Sequence, residues 1–150
     1  MKKFQFSLDT VLNYRQQVLD GVQNEYASLM LKVRQQEEKL RLAEQEYSDL
    51  NQEFRRAESE GISIAEAMRF DNGLRFLEQK IRREEKLLEE CRNRAEEKRK
   101  QLIAARQDTL SLENLRAKKL EAYQKDLQKM EERSIDEMIS AARTITTDVS

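Results

Sequence analysis

The chain has 150 residues, with 28 Lys and Arg against 29 Asp and Glu, a net charge of −1, no proline, no histidine and a single cysteine. Charged and hydrophobic residues each make up 38%, which is too polar for a compact single-core domain, while balanced signs and absent proline argue against disorder. Long charged helices of coiled-coil type remain, and the missing histidines exclude Ser-His or Cys-His nucleophiles, His-ligated zinc and an imidazole switch.

Positions spaced alternately by four and three from Leu8 run Leu8, Leu12, Arg15, Leu19, Val22, Tyr26, Leu29, Val33, Gln36, Leu40, Ala43, Tyr47, Leu50, Phe54 and Ala57. All are apolar except Arg15 and Gln36, and the phase never slips. That is a sustained heptad repeat, with Leu12 at a and Arg15 at d. A helix over about 8–58 is predicted, with Ser7 as N-cap and Asp9 in the first turn, where the helix dipole favours an acid. Val11, Tyr14 and Val18 widen its apolar face near the start.

Ser59-Glu60-Gly61-Ile62-Ser63 reads as a turn, and Ser63-Ile64-Ala65-Glu66 has the S-x-x-E form of a capping box. Asp71-Asn72-Gly73 is a second punctuation, because these residue types favour left-handed backbone. The connector 59–73 is therefore expected to hold a short helix at about Ile64–Phe70, then a kink. From Leu74 the repeat resumes through Leu77, Ile81, Glu84, Leu88, Cys91, Ala95, Lys98, Leu102, Ala105, Thr109 and Leu112, predicting a second long helix over about 74–140. After Leu112 the best apolar line becomes Leu120, Tyr123, Leu127 and Met130, a shift of four that marks a stutter. The pattern frays past Ser134, and 141–150 is expected to be a mobile tail.

Two long helices joined by a short connector predict an all-α fold: a two-stranded antiparallel coiled-coil hairpin forming one domain over 1–150. Counted outward from the turn, Leu8 falls opposite roughly Leu112–Leu120 at about 1.5 Å per residue. Residues beyond Leu120 then project as a lone helix whose apolar stripe is either a dimer contact or a docking surface.

No residue pattern calls for catalytic, cofactor-binding or metal-ligating roles. The carboxylates spread over charged helix faces, where solvation is the ordinary state. Cys91 at d reads as a small buried hydrophobe. Arg75–Lys119 holds 14 basic and 9 acidic residues, but their interleaving and the lack of an aromatic platform speak against nucleic acid. No small-molecule substrate is expected. Phe76 falls at c, away from the seam, and fits either a local mini-core or a partner surface. No apolar run reaches the ~18–20 residues of a membrane span. Ser7 and Asp9 stand where a signal peptide needs an apolar stretch, so a cytoplasmic chain is expected.

Phe4-Gln5-Phe6-Ser7-Leu8 followed by Val11-Leu12 and Arg15 resembles the N-terminal signature of the FliJ family, soluble components of the bacterial flagellar type III export apparatus. The resemblance continues along the chain in length, early heptads, an irregular middle and a longer charged second helix. It implies a coiled coil similar to the central shaft subunit of rotary ATPases, and a non-enzymatic coupling rod. The implied partners are the hexameric flagellar export ATPase, the membrane-embedded export gate and export chaperones. The implied location is cytoplasmic, peripherally attached to the inner membrane at the flagellar base. The gate patch carries over to Phe70, Leu74, Phe76, Leu77 and Ile81, with Gly73 where the family has an aromatic. The ATPase contacts carry over to Phe4, Phe6, Leu8, Val11, Leu12 and Arg15, together with the stripe Leu120, Tyr123, Leu127 and Met130. The alternative reading is a structural coiled-coil scaffold that dimerises through the C-terminal overhang.

Overall fold

The computed structural model describes residues 2–149, with side chains through residue 147. The described residues form two α-helices and no strand: α1, Asp9–Glu60, and α2, Ile64–Val149. The start of α1 is closed by a backbone turn in which the Asp9 N–H donates to the Phe6 carbonyl at 3.1 Å. At its end Gly61 takes φ +91°, the left-handed conformation that terminates a helix and that glycine adopts without a Cβ penalty. The capping box then starts α2: Ser63 Oγ accepts from the Glu66 N–H at 3.2 Å, and the Ser63 carbonyl accepts from the Ala67 N–H at 3.0 Å.

Two expectations are corrected. The connector is residues 61–63, with no separate short helix, because α2 runs unbroken through Asp71-Asn72-Gly73. Asp71 there pairs with Arg75 one turn on, at 3.7 Å. A Cβ on Gly73 would lie 3.0 Å from Leu50 Cδ2; packing against α1 takes up the space that glycine leaves and offsets its helix cost of about 1 kcal/mol. The second correction is at the other end, where α2 continues past 140 to Val149, while Ser150 of the expected tail lies outside the described residues. Neither glycine nor proline interrupts that stretch, and the Thr144 and Thr146 hydroxyls donate back to the Ser140 and Ala142 carbonyls at 2.9 and 2.8 Å.

The chain divides into two compact units, one being Asp20–Ala104 and the other drawing on the segments either side of it. Within Asp20–Ala104 the helices run antiparallel, from Glu25 opposite Lys98 (2.5 Å) through Glu46 opposite Lys80 (3.4 Å) to Phe54 against Phe70. Its core is Val33, Leu88 and Ala95, with Tyr26, Leu29, Met30, Leu40 and Cys91 packed against them. Every one except Met30 is a heptad a or d position, so the seam is the core. Gln36 is buried on this seam and satisfied: its amide donates to the Glu84 carbonyl at 3.2 Å and to the Glu84 carboxylate. Such a pair costs stability relative to an apolar layer and fixes register.

In the second unit the pairing is also antiparallel, with Asp9 opposite Arg116 (3.4 Å) and Arg15 opposite Asp108 (3.6 Å). Thr109 is buried here, its hydroxyl 2.9 Å from the Ala105 carbonyl and 3.4 Å from that of Arg15. The covered residues of α2 in this unit are Ala105, Thr109, Leu112, Arg116, Leu120, Tyr123 and Leu127. Two successive spacings of four, from Leu112 to Leu120, place the stutter where the apolar pattern shifts.

Candidate functional site

In the unit Asp20–Ala104, the residues expected to form the gate patch separate by burial. Leu74 and Leu77 are 7% and 8% exposed and belong to the interhelical core. Phe70 is half-buried, its ring centroid 5.1 Å from that of Phe54, and Ile81 is half-buried too. Phe76, by contrast, is 60% exposed. Its c position turns it away from the seam, which removes the mini-core alternative and leaves a surface aromatic. Ile64 and Met68, which heptad counting passed over, are also exposed at the start of α2. Their signal was available: both are large apolar residues off the seam. Beside them Leu50, Phe70 and Gly73 line a shallow groove with Glu66 and Arg69 at its rim.

The other unit gathers most of the residues expected to meet an ATPase. Residues 2–8 are not helical; they lie as an irregular strap against α2. The Phe4 ring packs 5.7 Å from Tyr123, tilted by 52°, and the Arg116 guanidinium sits 5.5 Å above the same ring. The Tyr123 hydroxyl donates to the Lys2 carbonyl at 2.5 Å. Phe6 and Leu12 are buried and Leu8 half-buried, whereas Val11 and Tyr14 remain exposed.

The overhang therefore begins later than the helix count placed it. Leu120, Tyr123 and Leu127 are half-buried, and every side chain from Gln128 to Thr147 is exposed. The count treated α1 as the only covering element, but non-helical chain spans up to about 3.3 Å per residue, so a short strap covers more than a helical turn. Met130 is exposed as expected, and Ile135, Met138, Ile139 and Ile145 join it further along α2.

The charged surface is that of a solvated helix pair. Glu38 accepts from Arg41 and Glu96 from Arg99, three residues on, and these hydrogen bonds hold both carboxyls below the ordinary glutamate range. Among the described residues no group of three His, Cys, Asp or Glu side chains is placed to hold a metal ion. No described helix is long and apolar enough to cross a membrane. What the geometry offers is apolar and aromatic surface for proteins: exposed Phe76 and, separately, the groove at Leu50, Phe70 and Gly73 in one unit, and the strap with the distal part of α2 in the other.

No curated protein and no solved structure matches the chain. The family model described as flagellar FliJ protein matches residues 4–146, nearly the whole length. The chain therefore belongs to the FliJ family and is a component of the flagellar export apparatus, in a family of structural export proteins rather than enzymes.

Proposed function

We propose that the chain couples the flagellar export ATPase to the export gate and hands over chaperones on the way. The unit holding the strap and the distal half of α2 engages the ATPase ring, and the Phe76 surface of the other unit meets the gate. The protein then acts in the cytoplasm and reaches the inner membrane through its partners. Family membership carries this reading. Two arrangements support it physically. Both ends of the chain contribute to one unit, so a ring that grips the distal part of α2 also meets the strap. Phe76 stands exposed on a continuous helix, where a docking partner gains apolar burial without unfolding anything.

The test is the export ATPase assayed with and without the chain, together with direct binding. Coupling requires binding and a raised turnover. Absence of both sinks it.

A further inference from the structure

Between the strap and α2 lies a cleft of about 630 Å³, within a single compact unit of the chain. Phe4, Phe6 and Tyr123 give it an apolar floor, and Lys2, Lys3, Lys119 and Asp126 stand around it. Along the strap Phe6 is buried and Phe4 half-buried, while Lys2, Lys3 and Gln5 are exposed. The aromatic side chains thus hold the strap down, and its lysines are left to solvent.

Ion pairing inside the unit leaves this cleft positive. Residues 2–19 and 105–127 carry eight basic and five acidic side chains. Four of the five acids already have partners: Asp9 pairs with Arg116, Asp108 with Arg15 and Glu121 with Lys125, and Glu113 accepts from the Gln16 amide. Lys2, Lys3 and Lys119 take part in no ion pair among the described residues, and Asp126 is the one carboxylate among the described residues that line the cleft. Three unmatched ammonium groups around an apolar floor suit a ligand that is acidic and also has apolar surface. A nucleic acid would need a free ring face on which to stack a base, but Phe4 is already engaged by Tyr123 at 5.7 Å and by the Arg116 guanidinium over its ring. A protein segment needs no such face, since its carboxylates meet the lysines and its aliphatic stems meet the floor.

We infer that the strap cleft is a docking site for an acidic segment of a partner protein, whose carboxylates pair with Lys2, Lys3 and Lys119 while its apolar groups rest on Phe4 and Tyr123. The same charge draws acidic segments in from a distance and repels basic ones. The inference states the chemistry of the segment and rests on the coupling reading only for the name of the protein that supplies it.

Fluorescence anisotropy with the full chain tests it. The probe is a fluorescein-labelled synthetic peptide of repeated Glu-Glu-Leu, and its neutral control is repeated Gln-Gln-Leu. Neither contains any part of an ATPase, so the outcome is separate from that of the coupling assay. The glutamate peptide should bind more tightly than its control, and less tightly as salt rises. Lys2→Gln, Lys3→Gln and Lys119→Gln combined should weaken it about tenfold, at a few-fold per exposed ion pair. Lys32→Gln, Arg34→Gln and Lys39→Gln combined remove the same charge from the other unit and should leave affinity within about twofold. All six side chains are exposed, so circular dichroism should not change. No binding, or equal affinity for the two peptides, overturns the inference. So does equal weakening by the two triple substitutions, which would make the attraction diffuse. Single-stranded DNA of matching charge that binds more tightly than the glutamate peptide, and is lost with the same three lysines, would overturn it in favour of nucleic acid.

Discussion

Gly73 faces Leu50 so closely that a β-carbon on the glycine would lie 3.0 Å from Leu50 Cδ2. Two terms of similar size oppose each other there. Alanine gains about 1 kcal/mol of helix propensity over glycine, and the tight contact takes back a comparable amount unless the Leu50 methyl moves. It has room, since Leu50 borders an open groove. Gly73→Ala should therefore leave urea stability within about 0.5 kcal/mol of wild type, while Gly73→Phe should lose roughly 1–3 kcal/mol by overpacking. A loss above about 2 kcal/mol for alanine would show that Leu50 is locked in place.

Gln36 and Glu84 form a polar layer in an otherwise apolar seam. Replacing Gln36 alone by leucine leaves the Glu84 carboxylate facing a dry neighbour, at an expected cost of about 1–3 kcal/mol. Replacing both by leucine should recover that loss and reach or exceed wild-type stability. A denaturation double-mutant cycle reads the coupling directly, and strictly additive effects would mean that the pair does not interact.

Leu77 and Phe76 are adjacent in sequence and opposite in role. Leu77→Ala removes a buried core side chain and should cost about 2–4 kcal/mol. Phe76→Ala touches no core and should change stability by less than about 0.5 kcal/mol. Gate binding, measured by pull-down, should fall for Phe76→Ala at unchanged helicity. Retained binding would assign Phe76 no part in docking.

Protonation should weaken the helices from the acid side. The Arg41 and Arg99 hydrogen bonds hold Glu38 and Glu96 below the ordinary carboxylate range. A carboxyl with a depressed folded pKa contributes stability that is present above its unfolded value and is lost as pH falls through the folded one. Helicity and denaturation midpoints should therefore decline as pH falls through the carboxylate range. The effect should be small and should shrink in high salt, since both side chains are exposed. A midpoint that rises on acidification would contradict this sign.

Much of the fold is legible in the residues themselves because a heptad seam is a local, repeated signal. Tyr26, Leu40 and Leu88 lie in the helix–helix seam where the period puts them, and the Ser63–Glu66 cap starts α2. Asp71-Asn72-Gly73 misleads because local propensity there amounts to about 1 kcal/mol per residue, and the contact that overrides it comes from Leu50, 23 positions away in the chain. Phe4 against Tyr123 is invisible for another reason. The strap is not helical, so no period reports which face it covers. The overhang was legible in kind and misplaced in extent, since its start depends on that strap. Phe76 stands out as an aromatic off the seam, while Ile64 and Met68 carry the same signal within a segment whose Gly and Asx residues suggest a break that does not form.

Coupling is tested most directly by asking whether one chain holds both partners at once. Immobilised export ATPase should capture the detergent-solubilised gate only when the chain is present, and Phe76→Ala should abolish that capture while the chain stays bound to the ATPase. Equal capture of the gate without the chain, or release of the ATPase-bound chain when the gate is added, would contradict coupling.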